Sequence, residues 1–342
     1  MKVAIDISPT RTGHAVRGIG AYTKNLIDQY KSRSWKCQFI YFDNPLSPPP
    51  ADIIHYPYFD LFTRSLPQRN PNVRVVTIHD VIPLVFPNYF PVGIRGYINL
   101  FFQKRSVKNI QAVICDSASS KTDIASKLSY PKERIHVVYL AAGSKFKKIE
   151  NQEFLASTIK KYNLPKTFVL YVGDVNWNKN IPNLLEAIKI FKVNLVMVGH
   201  ALVDKNLVQT KEIDKLIKKL NLQDKITRTG YVNEDDLIAI YNLAKVTVMP
   251  SFYEGFGLPL MESMACGTPV VCSKVASLTE ISGPAILCDP TSPKEIAQKI
   301  SHLINLPQNK RQILSQKCIN HASKFTWEKV ARQTISIYES LL

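Results

Sequence analysis

The chain has 342 residues, 45% of them hydrophobic, an ordinary share for a globular protein and enough for one large or two medium cores. The formal net charge of +17 favours anionic partners such as phosphorylated substrates or an anionic membrane face, and with no nucleic-acid-binding motif present, nucleic acid is not an expected partner. Cys37, Cys115, Cys266, Cys272, Cys288 and Cys318 form no CxxC and have no histidine at metal spacing, which argues against a disulfide frame and a zinc site.

Those thiols read as reduced core residues of a cytosolic protein. Residues 1–6 read as running straight into a strand, so no signal peptide is expected there, and no run approaches the ~18–20 apolar residues of a transmembrane helix. The expected location is therefore cytoplasmic, with peripheral attachment to the inner face of the cell membrane as the alternative.

Residues 3–7 read as a first strand. The loop from Pro9 to Gly20 holds Arg11, Gly13, Arg17 and Gly18 and leads into a helix through Tyr22, Leu26 and Tyr30. Residues 38–42, 52–56 and 73–78 read as further strands, the last ending at His79-Asp80. A long helix is expected over 93–109, then a strand over 112–115, a helix capped by Asp116-Ser117, and a strand over 135–138. Residues 143–167 are basic and helix-containing and read as a connector, with the domain boundary near 164.

The alternation then restarts. Strands are expected at 168–173, 194–199, 226–227, 246–249 and 285–288. Helices are expected at 183–191, through Lys211, Leu216, Ile217 and Leu220, after the cap Asn233, and over 292–305 and 308–322. Such alternation implies an α/β protein with a parallel, doubly wound, Rossmann-like sheet in each half. Ligands bind outside the carboxyl ends of such strands, so two of these sheets facing each other define a cleft. The expected domains are an N-terminal Rossmann-like acceptor domain over 1–163, a C-terminal Rossmann-like donor domain over 164–325, and a helix over 326–342 that crosses back onto the first.

One stretch organises the rest. Val246-Thr247-Val248-Met249 leads into Ser251-Phe252-Tyr253-Glu254-Gly255-Phe256-Gly257-Leu258-Pro259-Leu260-Met261-Glu262, and Gly267 and Pro269 close the helix before Val270-Val271. Gly255 and Gly257 allow a sharp turn and close approach of a ligand, and Pro259 suits the first turn of a helix. Free amides at that helix start form an anion site. Glu254 in the loop and Glu262, read as first-turn, bracket it, so phosphate can take the amides and sugar hydroxyls the carboxylates.

E-G-F-G-L-P-L-M-E, with the continuation Ala265-Cys266-Gly267-Thr268-Pro269-Val270-Val271, resembles the E-x7-E motif of the family-four retaining glycosyltransferases. Residues 17–22, Thr77-Ile78-His79-Asp80, residues 116–124 and Phe325-Thr326-Trp327-Glu328 match in the same order, so the resemblance covers nearly the whole chain. It implies a GT-B fold of two facing Rossmann-like domains. It also implies transfer of a hexose, mannose first, from a nucleoside diphosphate sugar to a glycan or lipid-linked glycan, in polysaccharide or lipopolysaccharide biosynthesis.

By the same resemblance, Glu254 contacts the donor sugar near its reacting face, and Glu262 the ribose hydroxyls. The amides of Phe256, Gly257 and Leu258, the amide of Gly20, and Lys179 hold the diphosphate, and His79 lies on the acceptor side. Neither metal nor cofactor is implied, because preorganised amides and Lys179 stabilise the leaving group electrostatically. One departure stands out. The family often carries Arg after the glycine that ends the first strand of the second domain; here Gly173 is followed by Asp174, which shifts diphosphate binding toward Lys179 and the helix N-termini, with the Arg11/Arg17 loop as a helper.

Two carboxylates also suit a glycosidase, but both lie against a phosphate-type loop and no third acid is placed to protonate a leaving group. The remaining alternatives are another GT-B enzyme, such as a nucleotide-sugar epimerase, or a degenerate partner subunit that only binds nucleotide sugar or membrane. Finally, residues 97–108 are aromatic and basic. They suit either a helix on a membrane surface or a core-facing helix with a solvated basic side.

Overall fold

The computed structural model describes residues 1–11, 18–67 and 72–342. The apolar runs of the sequence become short parallel strands. The first sheet holds β1 (Lys2–Asp6), β2 (Gln38–Phe42), β3 (Ile53–Tyr56), β4 (Val73–Thr77), β5 (Ala112–Cys115) and β6 (Ile135–Val137), in the order β2-β1-β3-β4-β5-β6. The second holds β7 (Phe168–Val172), β8 (Asn194–Val198), β9 (Ile226–Gly230), β10 (Val246–Met249), β11 (Val270–Ser273) and β12 (Ile286–Cys288), in the order β12-β11-β10-β7-β8-β9. Helices cover these sheets, which is why β3, β5 and β10 are buried at every position and show no polar alternation.

Strand order decides where a ligand can enter. The first sheet reverses direction between β1 and β3, the second between β7 and β10. At such a reversal the loops after the two central strands diverge and leave a crevice at the carboxyl edge. The loop after β1 leads to helix Gly18–Ser32; the loops after β7 and β10 carry Lys179 and Glu254.

The chain divides into two compact units, Met1–Gly143 with Thr326–Leu342, and Ser144–Phe325. The boundary expected near 164 thus falls earlier, after Gly143. The basic segment is part of the second unit because its lysines meet the acidic start of helix Glu234–Leu243. Lys145 Nζ lies 3.1 Å from Glu234, Lys161 Nζ lies 2.6 Å from Asp236, and Tyr162 donates to the same carboxylate. The Ile149 amide also donates to Asn242.

The last helix, Trp327–Glu339, belongs to the first unit. Its buried stripe lies against helix Gly18–Ser32, with the Trp327 ring 5.9 Å from Tyr22, and Glu328 pairs with Arg33 at 2.6 Å. Deeper in, the Tyr338 hydroxyl meets His55 Nδ1 at 2.7 Å, His55 Nε2 meets Thr77 at 2.8 Å, and Thr77 meets Tyr22 at 3.0 Å. Burial, with His79 nearby, lowers the His55 pKa to about 3, so this ring stays neutral. Tyr338→Phe strands Nδ1 in the core. It is expected to cost about 1–3 kcal/mol, read as a lower unfolding midpoint in urea; an unchanged midpoint would show that the tyrosine hydroxyl is dispensable.

Candidate active site

In the second unit, the loops at the β7/β10 reversal are laced together. Asn180 adopts φ 55°, and its side-chain amide donates to the carbonyls of Pro250 and Pro290, both at 2.7 Å. Asn178 donates to the Tyr253 carbonyl and accepts from the Phe252 amide, while Trp177 stacks on Phe252 with centroids 5.0 Å apart. This lacing brings Lys179 Nζ to 2.9 Å from both oxygens of Glu254, and Ser251 Oγ donates to the same carboxylate at 2.7 Å. Glu254 is only 6% exposed. Both its oxygens are held by donors from Lys179, and one also by Ser251.

After Glu254 the chain turns through Gly255, Phe256 and Gly257 into helix Leu258–Ala265, with Gly257 as N-cap at φ 113°. Ser277 Oγ lies 2.9 Å from the carbonyls of both Glu254 and Phe256 and pins the turn. An α-helix leaves its first amides without intrahelical acceptors. Here Pro259 has none to offer and that of Leu260 bonds back to Gly257, which leaves Gly257 and Leu258 as the candidate donors of this helix start.

Glu262 sits on the second turn of this helix, not on the first as expected, because the helix begins only at Leu258. Tyr241, fully buried, donates to it at 2.8 Å. Burial pushes the Glu262 pKa up to about 7, against the hydrogen bond from Tyr241.

In the first unit, Gly20 lies in the first turn of helix Gly18–Ser32, not in the loop before it, which places its amide among the unsatisfied donors of a helix start. Two residues on, the Tyr22 ring packs edge-on against His79, with centroids 4.8 Å apart. His79 Nδ1 lies 2.7 Å from Asp116, and Ser120 Oγ donates to the His79 carbonyl. Asp116 therefore does not cap the following helix. Ser117 does so alone, accepting from the Ser120 amide. Burial opposes a charge on His79, but Asp116, joined by Asp80, outweighs it and raises the ring's pKa. With Asp116→Asn only the burial and weaker terms remain, so the His79 resonance in an NMR titration is expected to drop below the ordinary imidazole range; a resonance that stays above it would overturn the pairing.

The pattern shared by the glycosyl transferases group 1 matches residues 156–324, which include Lys179, Glu254 and Glu262. That of Glycosyltransferase Family 4 matches residues 46–141, which include His79 and Asp116. O-antigen chain mannosyltransferase B of Escherichia coli is 31% identical over 277 residues, 78% of this chain and 70% of that protein. The chain belongs to the family-four glycosyltransferases. The serotype-specific mannosyltransferase WbdA of Escherichia coli is 27% identical over 83% of this chain, which spans 35% of WbdA, about a third of its length. The crystal structure of Anabaena HepE in complex with UDP and glucose superposes with a TM-score of 0.76 at 17% identity, covering 99% of each chain. This family-four glycosyltransferase thus has the GT-B architecture.

Within this glycosyltransferase the Asp174 departure has a local explanation. Its carboxylate accepts the Val175 amide at 2.7 Å, and its carbonyl accepts the Tyr171 hydroxyl at 2.6 Å, so Asp174 shapes the turn after β7. Arg11 pairs with Asp43, and Arg17 lies outside the described residues. The contributions of Ser251, Ser277, Asn178, Asn180, Tyr241 and Asp116 to the site were not anticipated from sequence. Only Asp116 had a local signal, a carboxylate at a strand end, and it was read as a cap.

Proposed function

We propose that this glycosyltransferase moves a mannosyl group from a nucleoside diphosphate sugar to a glycan or lipid-linked glycan, without a metal and with retention of anomeric configuration. The observation that carries the reading is the Lys179–Glu254–Ser251 cluster at the β7/β10 reversal, beside the amides of Gly257 and Leu258. A cation and helix-start amides suit a diphosphate, and the two carboxylates suit sugar hydroxyls. The mannosyltransferase relatives support mannose, and the UDP and glucose bound by HepE support a nucleoside diphosphate sugar.

The bond between the anomeric carbon and the phosphate oxygen breaks, and negative charge grows on the leaving diphosphate. Lys179 and the amides of Phe256, Gly257 and Leu258 stabilise that charge in place, with no reorganisation at the moment of reaction. The acceptor hydroxyl attacks the same face, and its proton passes to the departing phosphate oxygen. Glu254 holds the hexose and Glu262 the ribose. Gly20 is assigned to the diphosphate and His79 to the acceptor, each from its place on its own sheet. With its carboxylate engaged by Val175, Asp174 gives no reason to treat the chain as a degenerate subunit.

Ligand-induced thermal shifts with GDP-mannose, UDP-glucose and ADP-glucose test the donor. Bound donor at 100 times its Kd adds about 2.7 kcal/mol to stability, and GDP-mannose is expected to give the largest shift. Ionised Glu262 accepts ribose hydroxyls more strongly than its neutral form, so the shift should grow from pH 6 to pH 8 as the group titrates near pH 7. Glu262→Gln should remove that pH dependence. No shift with any of the three donors would refute the reading.

A further inference from the structure

We propose that the outer face of helix Ile94–Lys108 docks on a membrane surface carrying anionic phospholipid headgroups. The protein-facing side of this helix is mixed: Val107 is buried in the core with Leu100 against it, Gln103 and Ser106 are buried beside them, Gln103 donates to the Asp60 carbonyl at 2.6 Å and to Ser65 at 2.8 Å, and Asn99 donates to the Phe62 carbonyl at 2.8 Å. Its outer side is apolar, with Ile94 82%, Tyr97 60%, Ile98 51% and Phe101 57% exposed. These four recur at i, i+3, i+4 and i+7, which places them in one stripe.

Charge says what covers the stripe. No Asp or Glu occurs between Asp80 and Asp116, whereas this helix carries Arg95, Lys104, Arg105 and Lys108. The Arg105 guanidinium lies 5.7 Å from the centre of the Phe101 ring, so a cation borders the apolar stripe. A helix with an apolar stripe flanked by Lys and Arg lies in the plane of the headgroup region, apolar side chains down and cations among the phosphates. A second copy of the chain would place these cations against one another. No helix among the described residues is long and apolar enough to span a membrane, so attachment through this face is peripheral.

Cosedimentation of the full chain with phosphatidylglycerol-containing and pure phosphatidylcholine vesicles at low salt tests the proposal. Binding to the anionic vesicles is expected to be at least tenfold tighter. Ile98→Ser/Phe101→Ser should weaken it at least tenfold, with an unchanged melting temperature because both side chains are more than half exposed. Lys104→Glu/Arg105→Glu should abolish the preference for the anionic lipid. Three results would overturn the proposal: no vesicle binding by the unmodified chain, equal binding by both variants, or a dimer that forms without lipid and is lost in Ile98→Ser/Phe101→Ser. Donor thermal shifts on the same variants stay as in the unmodified chain, so failure here is distinguishable from failure of the transferase reading.

Discussion

Glu254→Gln is expected to lower sugar transfer by about a thousandfold while leaving a folded protein, because the group that holds the hexose near its reacting face loses its charge. The amide keeps the volume of the side chain and can still accept from Ser251. It cannot balance the ammonium of Lys179, whose side chain is 22% exposed. Removing one partner of a buried pair costs about 3–5 kcal/mol, and the partial exposure of Lys179 reduces this to about 2 kcal/mol. Lys179→Met/Glu254→Gln should therefore recover most of the lost stability and none of the activity. Nucleoside diphosphate release and thermal melts on the two single variants and the double variant separate these effects. Near-normal turnover of Glu254→Gln would remove Glu254 from the site.

Gly257→Ala is expected to abolish the donor-induced thermal shift. The residue sits at φ 113°, and a Cβ there would lie 2.7 Å from Leu278 Cδ2. Leu278 is fully buried, so the neighbour has little room to yield. Strained backbone of this kind costs about 1–3 kcal/mol. The larger effect is on position, since moving reacting or binding groups by about 1 Å can cost a hundredfold, and Gly257 starts the helix whose amides receive the diphosphate. Leu278→Ala added to Gly257→Ala relieves the contact but not the dihedral angle, so stability should recover only in part. Calorimetric titration with the donor checks this; full affinity in Gly257→Ala would show that the amides at this helix start do not carry the diphosphate.

Much of the second unit was legible along the chain because its signals are local. Glycines flanking Phe256, Pro259 at a helix start, Gly267 after its end and apolar runs of four to six residues each report the backbone conformation of their own neighbourhood. Glu254 and Lys179 could be named from such contexts together with the family pattern. That they form an ion pair could not, because they are 75 residues apart and meet only where β7 and β10 become neighbours. The same holds for His79 and Asp116, 37 residues apart, and for Ser277 and Glu254, 23 apart.

Helix Ile94–Lys108 marks the limit from the other side. Its residues 97–108 were consistent with an outward or a core-facing apolar stripe, and composition could not choose between them. The choice was made by Asn99 and Gln103, which find carbonyl acceptors on the 60–65 loop and turn the opposite stripe outward. By itself, then, the sequence determined the α/β alternation, the family and the loop that carries Glu254, since these follow from local backbone chemistry and motif order. The tertiary structure alone decided which carboxylate meets which base, that Ser144 and not residue 164 opens the second unit, and which side of a helix faces solvent. Those outcomes depend on contacts between segments that only packing brings together.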